Sequence, residues 1–285
     1  MSEYVIFTDS SADLPAHLAA ECGLPVVWLR LFLDEKEENP ETDSKTFYDA
    51  LRNKVVATTS APNLDDYLSL MEPILQSGKD LLYIAFSSGL SSACHTGTLA
   101  ADELAEKYPD RKIRVVDTLA ASLGQGLLVY LALQKQKAGL SLDETVSWLE
   151  ENKLHLCHWF TVDDLLFLKR GGRVSAATAV VGTMLAVKPV MHMDDAGHLV
   201  SVSKARGRKG ALLALFDKAK ETAFAPETQI MAISHGDCAE DAEFLAEKLK
   251  TELHVPEVLI APVGTVIGAH SGPGTVALFF LGTER

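Results

Sequence analysis

The stretch Leu81-Leu82-Tyr83-Ile84-Ala85-Phe86-Ser87-Ser88-Gly89-Leu90-Ser91-Ser92-Ala93-Cys94-His95-Thr96-Gly97 decides the fold. Five apolar residues lead into a turn of small and hydroxyl-bearing ones. A helix-compatible segment then runs from Leu90 to about Lys107. Strand, small-residue turn and helix in this order bring backbone N–H groups and hydroxyls to a helix N-terminus. That end carries a partial positive charge and unpaired donors, so it favours an anion. The serines read either as a helix cap or as one wall of a carboxylate site.

The same alternation extends to both sides. Tyr4–Thr8 reads as a first strand, with Ser11 or Asp13 capping a helix that has Pro15 in its first turn and Gly23 at its end. Asp9 then lies at the carboxyl end of a strand, where open α/β sheets bind ligands. Pro25–Leu33 reads as a second strand and Thr46–Arg52 as a short helix. Ala57–Pro62 is hydroxyl-rich and ends in proline, the pattern of a loop entering a helix; Leu64, Leu68, Met71 and Leu75 recur in that helix. Arg111–Val116 is the next strand and Ala121–Ala138 a long apolar helix closed by Gly139. Ser141 and Glu144 form a capping-box pattern. Strands alternating with helices predict a parallel, doubly wound sheet.

The pattern changes after about Lys153. His155–Val162 reads as a strand, Asp163–Lys169 as a short helix, and Ala176–Val187 as a buried helix of small apolar residues. Lys188–His192 and His198–Val202 flank Asp194-Asp195-Ala196-Gly197, a hairpin turn. Arg208–Phe224 and Asp241–Leu253 read as helices; Gln229–Ser234, Glu257–Ala261 and Thr275–Leu281 as strands. The expectation is an α/β protein of two domains. Residues 1–155 form the parallel domain and residues 156–285 an α/β domain with a mixed sheet, and a ligand sits between them.

Composition narrows the function classes. The chain has 285 residues, 47% of them hydrophobic, which is ample for a core, and no apolar run reaches the ~18 residues of a membrane span. The start lacks a basic leader, so no signal peptide is read. The cysteines Cys22, Cys94, Cys157 and Cys238 are widely spaced and read as reduced thiols of a cytoplasmic protein. A net charge of -13 argues against nucleic-acid binding. Between Leu166 and Gly210, however, eight basic residues face two acids, so this segment reads as a cationic island.

Several familiar signatures fail. Neither Gly89-Leu90-Ser91-Ser92-Ala93 nor Gly268-Ala269-His270-Ser271-Gly272 is a nucleophile elbow, so an acyl hydrolase using Ser91 or Ser92 with His270 is the alternative reading only. Gly272-Pro273-Gly274-Thr275-Val276-Ala277 matches a dinucleotide fingerprint by letters, but the chain ends too soon for a βαβ unit. His155, Cys157 and His158 alternate across a strand and cannot converge on a metal. No cofactor is expected. Arg173, beside Gly171-Gly172, supplies a fork for a carboxylate or phosphate; Arg206 and His270 are further polar anchors.

Taken together, Thr8–Leu14 (TDSSADL), Thr59-Ser60-Ala61-Pro62, Ser87–Ser92 (SSGLSS), Val116-Asp117-Thr118, Lys169–Ser175 (KRGGRVS), Lys204-Ala205-Arg206-Gly207 and His270–Thr275 (HSGPGT) resemble the DegV family of bacterial fatty-acid-binding proteins. The resemblance runs nearly end to end. It implies the two-domain fold shared with dihydroxyacetone-kinase-like proteins, with a long-chain fatty acid such as palmitate between the domains. It also implies a carboxylate held by Thr59 and Ser91, assisted by Ser60 and Ser92, and by His270. Arg173 and Arg206 would present the head group to, or dock, a separate fatty acid kinase in phospholipid metabolism. A carrier of this kind has no catalytic residue, and it makes at most transient membrane contact. Ala61 and Ser92 replace a polar residue and a glycine frequent in the family; neither removes an implied ligand contact.

Overall fold

The computed structural model describes residues 3–39, 42–175 and 187–285. The opening stretch forms β6, Asp80–Ala85, buried at all six positions. Such a strand must be covered on both faces, and its alternation shows how. Leu81, Tyr83 and Ala85 pack with Tyr67, Met71 and Leu104 on one side. Leu82 and Ile84 pack with Leu127, Leu128 and Leu149 on the other. Strand β1 (Tyr4–Asp9) lies beside β6, with β2 (Val26–Val27) and β7 (Ile113–Asp117) outside them. The order is β2-β1-β6-β7, all parallel.

A second sheet of six strands has the order β10-β9-β8-β13-β11-β12. Its members are β8 (Leu156–Thr161), β9 (Val187–Met193), β10 (Leu199–Arg206), β11 (Ile230–His235), β12 (Glu257–Pro262) and β13 (Val276–Leu281). Only β11 and β12 pair in parallel, so the sheet is mixed. Helices Gly207–Thr222 and Ala239–Glu252 cover one face. The helix Leu123–Lys137 covers the other, and it also packs on the first sheet. A helix held between two sheets is apolar nearly all round. One core therefore crosses the expected boundary at residue 155. Gly124 permits the close approach: a Cβ there would come within 2.7 Å of the Phe279 ring.

Several local expectations change. Pro25–Leu33 is not one strand. It divides into β2 and β3 (Arg30–Leu33), because Leu29 N–H leaves the ladder to donate to Ser10 Oγ. Ala57–Pro62 is not simply a loop: Ala57–Ser60 forms β5, antiparallel to β3, and the β-branched pair Thr58-Thr59 suits the extended backbone. With β4 (Lys36–Glu38) these make a three-stranded sheet. Asp34 and Glu35 both have positive φ in the β3–β4 turn, the geometry of a type I′ hairpin.

Neither Ser11 nor Asp13 caps the helix Ala16–Glu21; Pro15 stands at its N-cap. The helix after β6 starts at Ala93, three residues later than expected. The Asp194–Gly197 turn and the reciprocal Ser141–Glu144 capping box form as read. The Ala176–Val187 segment lies outside the described residues except for Val187, which opens β9.

Candidate functional site

Asp9 sits at the carboxyl end of β1 but serves the fold. Its buried carboxylate accepts hydrogen bonds from Ser11 N–H, Tyr83 OH (2.8 Å) and Phe86 N–H (2.9 Å). Those bonds pin the start of the serine-rich loop to the strand that precedes it in the sheet. Ser87 and Ser88 are also tethers. Ser87 Oγ donates to Gly197 O at 2.9 Å, and Ser88 N–H donates to Asp117 Oδ1. Only the far half of the loop, Leu90-Ser91-Ser92, reaches a cavity.

That cavity holds about 860 Å³ of unfilled space, part of it open to solvent. The part of it that the centre of a water molecule can reach is about 150 Å³. Its walls come from both halves of the chain: β5, the serine loop, the loop Gly171–Arg173, the helix Thr265–Ser271 and the inner face of the six-stranded sheet. Most of the wall is apolar, with Leu29, Phe86, Phe160, Leu168, Val266 and Ile267 prominent.

Thr59, Ser91, Ser92, His270 and Arg173 all line it. Thr59 Oγ1 and His270 Nε2 are 2.7 Å apart. Ser91 Oγ accepts from Ala93 N–H at 3.2 Å, which leaves its proton free to donate. Burial, aided by the nearby Arg173 cation, pushes His270 down to about 4. The imidazole is therefore neutral near pH 7 and offers a hydrogen bond rather than a charge. Gly171 makes room for it, since a Cβ there would fall 2.1 Å from His270 Nδ1.

Arg173 is held only by carbonyl groups among the described residues. Its guanidinium donates to Gly171 O and, at 2.9 Å, to Leu90 O. No described carboxylate lies within ion-pair distance of it. Arg173 thus stands in the cavity wall with a charge that the described protein does not neutralise.

Two predicted residues do not join this group. Ser60 follows Thr59 on β5, so its side chain points to the opposite face and is exposed. Arg206 ends β10 opposite Val187 and is exposed, outside the cavity. The cationic island is also not one surface. Lys188 pairs with Asp163 at 2.7 Å, and Arg208 pairs with Asp241 at 2.8 Å and with Asp163 at 3.5 Å.

The hydrolase arrangement is not assembled among the described residues. His270 Nε2 is engaged with Thr59, and its Nδ1 has no partner to orient it. No group of three His, Cys, Asp or Glu side chains among the described residues is disposed to hold a metal. No described helix is long and apolar enough to cross a membrane.

Sequence reasoning missed the helix Thr265–Ser271, which supplies Val266, Ile267 and His270 to the cavity. Their spacing, i, i+1 and i+4, is one face of a helix and was available as a signal.

These features define a class: an α/β protein of two main sheets and a small third, with an internal, largely apolar cavity and a cluster of hydroxyl, imidazole and guanidinium groups in its wall. The chain belongs to the DegV family, whose profile, described as an uncharacterised protein of that family, matches residues 3–283. A DegV domain-containing protein of Clostridium perfringens is 46% identical, covering 100% of this chain and 99% of its own length. A solved Thermus thermophilus structure, described as fatty acid binding of a DegV family protein, has a TM-score of 0.87 at 30% identity; 98% of this chain and 99% of that one are covered. The DegV fatty acid binding protein of Bacillus subtilis has a TM-score of 0.83 at 28% identity, with 98% and 99% covered.

Proposed function

We propose that this protein binds a long-chain fatty acid in the cavity, with the carboxylate against Thr59, Ser91, His270 and Arg173. It carries the acid without transforming it and presents the head group to a separate ATP-dependent kinase that makes the acyl phosphate. The observation that carries the binding reading is Arg173: a guanidinium in an apolar cavity wall, bonded among the described residues to carbonyls alone. A half-buried cation without a carboxylate is costly, and a ligand carboxylate supplies the missing partner. The fatty acids bound by the Thermus and Bacillus relatives support the same ligand class.

The energetics are sufficient. At about 0.8 kcal/mol per buried methylene, a tail of some fifteen carbons offers on the order of 10 kcal/mol before the costs of association. One charge-assisted hydrogen bond adds roughly 1.5–3 kcal/mol. One neutral donor from the Thr59–His270 pair and one from Ser91 orient the carboxylate without holding it too tightly for release.

Extraction of the purified protein followed by mass spectrometry tests this. A long-chain fatty acid is expected in about one copy per chain, and the stripped protein should take one up again. Failure of both would end the reading. Incubation with ATP and a fatty acid kinase, trapping the product with hydroxylamine, tests the carrier role. Hydroxamate formation that needs both proteins is expected; formation by this chain alone would make it an enzyme.

A further inference from the structure

The inward-facing side chains of β13 change size along the strand. Side chains alternate between the faces of a sheet, so Thr275, just before the strand, shares a face with Ala277 and Phe279. That face is turned to the helix Leu123–Lys137. Thr275 and Ala277 line the cavity; Phe279 is fully buried and does not. Thr275 Oγ1 is bonded to Ser271 O and Gly272 O, directly after His270, so this end of β13 is the head-group end.

The neighbouring strands continue the pattern. Ala277 stands opposite Phe160 of β8 and Ser234 of β11, and all three line the cavity. Ser234 Oγ lies 3.0 Å from Ser122 Oγ, which is bonded to Asp13, so Ser234 presents a small side chain whose hydroxyl is already engaged. The cavity floor is therefore low over Ala277 and Ser234 and bounded on one side by the Phe160 ring. One row further along, Phe279 stands opposite His158 and Ala232. Its ring is fixed there. The ring centroids of His158 and Phe279 are 4.6 Å apart, and a Cβ on Gly124 would come within 2.7 Å of the Phe279 ring.

We propose that β13 gauges the acyl chain: the tail runs from the head-group cluster over Thr275 and Ala277, and Phe279 stops it. The inference rests on the fatty-acid reading above and adds which residues set the chain length. Thr275 and Phe279 are roughly 14 Å apart along an extended strand, so the floor between them carries a large part of a long tail. A close-packed wall has no spare room. A larger side chain at Ala277 puts its carbons where the tail lies, and each methylene kept out costs about fourfold in affinity. A smaller side chain at Phe279 opens space at the end of the floor that a longer tail fills.

The test is competition by native mass spectrometry on the stripped full-length chain, with an equimolar ladder of saturated straight-chain acids. In Ala277→Leu the preferred acid should be shorter than in the parent. The acid that the parent prefers should lose about tenfold to a hundredfold against the new favourite. In Phe279→Leu the preferred acid should be longer. Thr59→Ala, which acts on the head group, should weaken every length alike and so serves as the control. Ala277→Val, with a smaller shift in the same direction, replaces Ala277→Leu if that variant fails to fold; position 277 alone decides if Phe279→Leu does not fold. A uniform loss across the ladder in the folded variant at position 277, or an unmoved preference there, overturns the inference and leaves the fatty-acid reading standing. A preference that is unmoved or shorter in folded Phe279→Leu also overturns it. Binding of no acid by the parent overturns the fatty-acid reading itself.

Discussion

Arg173 and Arg208 come from similar sequence, each beside glycine and other cations, yet they do opposite things. Arg208 is surrounded by anionic and carbonyl partners: Asp241 at 2.8 Å, Asp163 at 3.5 Å and Gly274 O at 2.6 Å. It ties β10 and the helix after it to the loop that follows Ser271. Arg173 meets only carbonyls among the described residues and faces the cavity. A run of basic residues is therefore not evidence of free positive charge. What counts is which cations the fold has already neutralised, and that depends on acids far away in the chain.

The sharpest way to break this contrast is Arg173→Ala. It should weaken fatty-acid binding about tenfold to a hundredfold, the worth of a charge-assisted hydrogen bond, measured by calorimetry on the stripped protein. Arg206→Ala, outside the cavity, should leave affinity within about twofold. Equal losses in the two would mean that the head group lies elsewhere. Thr59→Ala combined with Ser91→Ala should cost about tenfold, since two neutral hydrogen bonds are lost, while the denaturation midpoint of the stripped protein stays close to that of the parent.

Arg208→Ala should act on stability instead. Loss of its partly buried contacts should lower unfolding free energy by about 1–3 kcal/mol in urea titrations, with affinity little changed. A drop in affinity without a drop in stability would reverse the roles assigned to the two arginines.

The smallest expected effect is on His270, pushed down to about 4 first by burial and then by Arg173. As pH falls, the unfolded chain takes up this proton before the folded one. The group's contribution to stability is therefore whole above the ordinary value of 6.5 and is lost as pH falls toward 4. Arg173→Ala removes the lesser cause, so the imidazole midpoint followed by NMR should rise yet stay below 6.5. An unmoved midpoint would show that the guanidinium does not act on the ring.

How much of the site was legible follows from the range of the interactions. Ser91 and Ser92 lie in a local strand–turn–helix pattern, and the spacing of small and hydroxyl residues marks them. The same pattern could not separate them from Ser87, whose hydroxyl is spent on Gly197 O, or from Ser88, whose backbone N–H is held by Asp117 and whose side chain is exposed. Ser60 looked equivalent to Thr59 in sequence, yet strand alternation turns it away, and β5 itself was hidden because its partner β3 comes from a divided segment. The hydroxyl chain from Asp13 through Ser122 to Ser234 had no sequence signature, since its members are brought together only by packing.

The sequence by itself determined the alternating architecture, the two-faced burial of β6, the family and the residue types that meet a carboxylate. These follow from periods of two and three to four residues and from turn chemistry, all local properties of the chain. Only the tertiary structure decided that Thr59 meets His270 across 211 positions, that Arg173 rather than Arg208 keeps its charge for the cavity, and that one helix joins the two sheets. Pairing and burial depend on what arrives from elsewhere in the chain, and no short stretch records that.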